Sequence, residues 1–168
     1  MRKWLVSAVI PVLCFLLCGC GEGFLSKTVK PEDLQFTFDC PAVIQTEDQS
    51  WECYVFHNLA QKTEITVTDS GSMNGLQYRQ NGTEISLLYD GMEYAAKKEL
   101  FPQTCCFSQI ADVLNGAQAY ETLIPLGQNM FSCSVNGKAF RITADQEGRI
   151  LELSTGMLTA TFAPQTME

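Results

Sequence analysis

Histidine is nearly absent: His57 stands alone in 168 residues. Structural zinc sites draw on several Cys and His ligands at set spacings, and no Cys-x-x-Cys pair is present here. A Ser/His or Cys/His hydrolase would have to use His57, and no Gly-x-Ser-x-Gly elbow accompanies it. P-loop and dinucleotide fingerprints are missing as well. Basic charge is scarce, with 11 Lys and Arg against 19 Asp and Glu and a formal net charge of −8. Nucleic-acid binders need a basic face to neutralise phosphate, which sets that class aside. Charged residues make up only 18% and hydrophobic ones 46%, the reverse of a disordered chain. Long apolar runs are limited to one, so a polytopic membrane protein is excluded. Asp39, Glu52 and Glu64 alternate with apolar residues and read as a solvated face, not as a glycosidase pair. The expectation is a chain without catalytic residues, cofactor or metal.

The apolar run lies at the N-terminus. Arg2 and Lys3 precede an almost uninterrupted apolar stretch, Trp4 to Leu17, broken by Ser7 and Pro11. Its length and flanks are those of a signal peptide, shorter than the roughly 20 residues of a membrane span. It runs into Leu17-Cys18-Gly19-Cys20, which resembles a bacterial lipobox. The resemblance implies cleavage after Gly19 and lipidation of Cys20. Cys18 is the poorer acceptor, because bulky Leu17 would sit at the cleavage site, and Cys18 itself stands where Ala, Ser or Thr is commoner. A lipidated Cys20 would hold the protein on the extracytoplasmic face of the cell membrane. Each buried methylene contributes about 0.8 kcal/mol, and two acyl chains anchor stably. Loss of Arg2 and Lys3 makes the charge two units more negative than −8, so the lipid, not the protein surface, would supply the attachment.

Three segments follow: a signal peptide over 1–19, a lipidated cysteine and flexible tether over 20–30, and one domain over 31–168. From Leu34 onward the dominant period is two. Leu34, Phe36, Phe38 and Cys40 alternate with polar residues. Trp51, Cys53 and Val55 continue the pattern after a polar break at 46–49, and Ile65 and Val67 follow. Strands are predicted over 76–80, 84–89 and 92–95, separated by Asn81-Gly82 and Asp90-Gly91, the strongest short hairpin signals. The period changes to helical spacing between Cys105 and Ala119. Strands return over 130–135, 138–143, 149–153 and 157–162, with Asn136-Gly137 as another hairpin turn. Nine or so short strands and one helix predict an α+β fold, a strongly curved antiparallel sheet forming an incomplete barrel with a helical lid on its concave face.

This arrangement resembles the LolA/LolB-like lipoprotein-carrier superfamily and, within it, small envelope lipoproteins of Gram-positive anaerobic bacteria. The lipobox carries the resemblance, with strands 34–40 and 51–57, the segment Gly71-Ser72-Met73-Asn74-Gly75-Leu76, the Asn-Gly and Asp-Gly hairpins, the mid-chain helix, and the ending from Lys138 to Phe162. It implies an open barrel under a helical lid, holding acyl chains in the cavity between them. Candidate cavity-lining residues are Phe36, Phe38, Trp51, Phe107, Ile110, Phe131 and Phe140. Plain core packing is the competing role for the same aromatics.

Cysteine is plentiful, with eight in all. Removing Cys14, Cys18 and the lipidated Cys20 leaves Cys40, Cys53, Cys105, Cys106 and Cys133, an odd number. Outside the cytoplasm disulfides are permitted. Pairing Cys40 with Cys53 places the hairpin centre at Thr46-Glu47, inside the polar break. Cys133 could join Cys105 or Cys106, and all five could equally be small buried hydrophobes. Two functions remain: a lipid-anchored binder of a lipid or acyl chain, or a non-catalytic module that contacts another envelope protein.

Overall fold

A computed structural model describes residues 28–69, 71–119 and 122–163. The signal peptide, the lipobox with Cys20 and most of the tether lie outside the described residues. After a 3-10 turn at Pro31–Asp33, the chain lays down a first meander: β1 (Phe38–Thr46), β2 (Ser50–His57), β3 (Lys62–Asp69), β4 (Gln77–Asn81), β5 (Glu84–Tyr89) and β6 (Met92–Lys97). A helix, α1 (Cys106–Ala117), then carries the chain to a second meander: β7 (Ile124–Gly127), β8 (Met130–Val135), β9 (Lys138–Ala144), β10 (Ile150–Ser154) and β11 (Leu158–Phe162). The strands form one 11-stranded sheet in the order β6-β5-β4-β3-β2-β1-β11-β10-β9-β8-β7. All ladders between strands are antiparallel. The chain thus starts at the centre, works out to the β6 edge, crosses by α1, and returns from the β7 edge to pair β11 with β1. The sheet is not closed.

The helix proves the curvature. It packs against both β4 and β8, which lie far apart in the strand order. In a flat sheet those strands would be about 34 Å apart at ~4.8 Å per step, against a helix only ~10–12 Å across. The sheet must therefore curl around α1, with the core between them. The α1 stripe Phe107, Ile110, Ala111, Val113, Leu114 and Ala117 is buried against the inward rows Ile44, Val55, Ile65, Tyr78, Phe131 and Ile142. Gly116 is a poor helix former, but a Cβ there would stand 3.0 Å from Val135 Cγ2, so its lack of a side chain lets α1 approach β8.

The main departures from the expected strands are at the first strand and at β7. The first strand is Phe38–Thr46, not 34–40; Leu34 and Phe36 are buried ahead of it, where Gln35 bridges in parallel to Arg149. Pro41 sits inside this central strand because its carbonyl points toward the end of β11, accepting from Ala163 N at 2.9 Å. The missing N–H therefore forfeits only the last rung of that ladder. Strand β7 has no counterpart among the expected strands.

Candidate functional site

The expected cavity-lining residues converge on the concave face, where they pack against one another. Phe36, Trp51, Phe107, Ile110, Phe131 and Phe140 are buried in one continuous core, and half-buried Phe38 packs against it. Phe107 projects from α1 between Trp51 of β2 and Tyr78 of β4, with ring centroids 5.7 and 6.2 Å away. Phe38 meets Phe162 edge-on at 5.1 Å. The volume between sheet and helix is occupied by these side chains.

A cleft of about 190 Å³ lies beside α1. Phe101, Val135 and Phe140 give it an apolar wall; Lys98, Gln109 and Lys138 give it a polar one. It is smaller than the roughly 300–1,000 Å³ of ordinary ligand pockets. Of the expected lining residues, Phe140 borders this cleft.

Asp112 lines the cleft and is the hub of a polar network. Its carboxylate accepts from Gln80 Nε2 at 3.2 Å and from Asn136 Nδ2 at 2.9 Å, and pairs with Lys98 Nζ at 2.5 Å. Gln80 Oε1 in turn accepts from the Tyr78 hydroxyl at 2.6 Å. Burial pushes the Tyr78 phenol up, partly offset by its hydrogen bond to Ser108. Asp112 thereby joins the β4 side of the curl to the β8–β9 turn. It is absent from the expected site residues, although one carboxylate within a buried apolar stripe was the available signal.

His57 lies near the C-terminal end of α1 and is fully buried. Its Nδ1 is 2.8 Å from Thr63 Oγ1, and its Nε2 accepts from the Gln118 amide at 2.6 Å. The same amide donates to Asn58 O at 3.0 Å. These partners suit a neutral ring protonated on Nδ1. Burial lowers its pKa to about 4. The ring is sealed from solvent and fastens the C-terminal end of α1.

The five cysteines of the described residues are free thiols. Cys40 faces Val55, and Cys53 faces Ala42, so the expected Cys40–Cys53 disulfide is not formed. The β1–β2 hairpin turns two residues of register away from the assumed centre. Such a slide keeps every side chain on its own face, so alternation could not distinguish the two registers. Burial pushes Cys40 and Cys106 up to about 11 and Cys53, beside Cys106, up to about 12. Thiols held protonated in this way are weak nucleophiles and weak metal ligands. Among the described residues no cluster of three or more His, Cys, Asp and Glu could hold a metal ion.

A second feature lies where the sheet outruns the helix. One cross-strand row on the concave face runs Ile65, Tyr78, Leu87, Tyr94 from β3 to β6. Ile65 and Tyr78 are 0% exposed, Leu87 is half-buried, and Tyr94 is 57% exposed. The next pair on this face, Tyr89 and Met92, continues the apolar surface, with Met92 at 68% exposure. The Tyr89 hydroxyl donates to the carbonyl of Ser72. This apolar surface has no covering element among the described residues.

No family model matches the chain, and no curated protein matches it. Among solved structures it is similar to the crystal structure of a LolA superfamily protein from Nitrosomonas europaea, with 10% identity. The match covers 84% of this chain and 86% of that one at a TM-score of 0.41. A likeness this slight carries no argument about family, ligand or activity.

Proposed function

We propose that this chain is a lipid-anchored, non-catalytic binding module on the extracytoplasmic face of the cell membrane, working through its surface. The anchor rests on the lipobox-like Leu17-Cys18-Gly19-Cys20. One observation carries the surface reading. The aromatics that could have lined a chamber are packed as core, while Tyr89, Met92 and Tyr94 stand exposed together at one end of the sheet. A contiguous exposed apolar patch on an otherwise well-packed domain marks a contact surface. The test is photo-cross-linking of the full chain in intact bacteria, with the reactive group placed at Tyr94 or Met92. Adducts should form at these positions and not at Leu59 or Met157, apolar side chains exposed elsewhere. Equal labelling at all four positions, or none at any, would overturn the reading.

The cleft beside α1 favours a second reading, binding of an amphiphile such as a short acyl segment with a polar head. Phe101, Val135 and Phe140 would take the chain, and Lys138 and Gln109 the head. At about 190 Å³ the cleft holds a longer chain only if α1 moves outward. Native mass spectrometry of the full chain from the exporting host tests this reading. A stoichiometric lipid adduct that Phe140→Trp abolishes supports it; a bare protein mass excludes it.

A further inference from the structure

The two free edges of the sheet differ in what they allow. Strand β7 is short, carries Pro125, and breaks register between Pro125 and Gly127. Proline and irregularity are standard means of keeping an edge from pairing further. Strand β6, Met92–Lys97, has neither. It runs six residues in unbroken register with β5, and Ala95 and Ala96 at its middle leave the edge open to a neighbour.

The hydrogen-bond parity of β6 can be read off. Lys98 N donates inward to Thr83 O at 2.8 Å. Residues alternate along an antiparallel strand, so 92, 94 and 96 also point their backbone groups toward β5. Glu93, Ala95 and Lys97 then point theirs off the edge. Their side chains lie on the convex face and are exposed. Neither Glu93 nor Lys97 belongs to an ion pair among the described residues. Glu93 faces apolar Leu88 within its own sheet.

We propose that β6 pairs antiparallel with β6 of a second copy, about a two-fold axis at Ala95. This rests on the reading of the β5–β6 end as the contact surface and names its partner. In this register Ala95 faces Ala95, and Glu93 faces Lys97 of the second copy on both sides of the axis. The residues that face each other are those with free backbone groups, so three residue pairs exchange about six hydrogen bonds. Neighbouring registers fit worse. An axis at Tyr94 sets Lys97 against Gly91, and an axis at Ala96 sets Glu93 against Glu99. On the concave face Tyr94 lies over the small Ala96 of the other copy, joining the two exposed apolar patches. The contact is isologous, so it closes at two chains.

The test is sedimentation velocity of the full chain in detergent over a concentration series. Glu93→Lys, Lys97→Glu and the double reversal are run beside the unaltered chain. A dimer should form, each single reversal should weaken it about tenfold, and the double reversal should restore it, because 93 faces 97 twice. Ala95→Cys should give a disulfide-linked dimer in intact cells, with the cross-link mapped to the substituted position by mass spectrometry. A chain monomeric throughout and without that cross-link would overturn self-pairing, as would a dimer indifferent to the reversals. In either case, adducts of Tyr94 with another protein would leave the surface reading standing, and their absence would remove it too.

Discussion

Polar side chains tie α1 to the sheet at two places, and the two ties are opposite in kind. At the β4–β8 side, Asp112 gathers Lys98, Gln80 and Asn136 around a charge at the rim of an open cleft. At the His57 end, Thr63, His57 and Gln118 form a neutral chain away from water. At the first turn of α1, Phe107 makes an apolar clamp with Trp51 and Tyr78. The lesson is that one helix can be held by three contacts with different chemical sensitivities. Loss of volume attacks the clamp, acid attacks the sealed tie, and loss of charge attacks the open tie.

The largest effect should come from the clamp. Phe107→Ala should cost about 3–5 kcal/mol, read from the urea unfolding midpoint. A cost below that of any change at the ties would reverse the ranking. Acid should come next. A histidine with its folded pKa lowered to about 4 is protonated more readily in the unfolded chain, whose pKa is near 6.5. Its contribution is complete above pH 6.5 and lost as pH falls toward 4. The loss approaches roughly 3 kcal/mol at the low end. Unfolding midpoints across that range should show the slope, and His57→Gln should flatten it. An unchanged slope would assign the acid sensitivity elsewhere.

The open tie should respond more weakly. Asp112→Ala strands Gln80 and Asn136 beside a cleft that water can enter, for about 1–2 kcal/mol. Smallest should be Lys98→Ala, within about 1 kcal/mol, since this lysine is partly exposed. A larger loss there would mean that the rim is drier than its geometry implies.

Much of the sheet was legible because its turns carry their own chemistry. Asp90-Gly91 and Asn136-Gly137 both have positive φ at their two central residues and join strands in the expected register. The Asn81-Gly82 turn is displaced by one, with Gly82 and Thr83 at its centre, since Asn81 still pairs with Glu84. Strand β7 was hidden because its hairpin turns on Gln128 and Asn129, at φ 52° and 57°, without the usual central glycine. Pro125 further disguised it. The helix was plain from its spacing and runs through Asn115-Gly116. The site was less legible. Alternation marks which residues face inward but not how far the helix reaches across them. It could not separate buried Tyr78 from exposed Tyr94 in the same row.

The pairing of β1 with β11 has a consequence for how the domain comes into being. The ladder at the centre of the sheet joins the first strand to the last, with Ala42 opposite Phe162. Local hairpins on either side can form as soon as their residues are available, but this seam waits for nearly the whole chain. Contacts so distant in sequence slow folding, because a long loop must close before any of their energy is gained. In a chain delivered N-terminus first, β1 spends that interval with one side unpaired. The domain becomes a single sheet only when its final strand arrives.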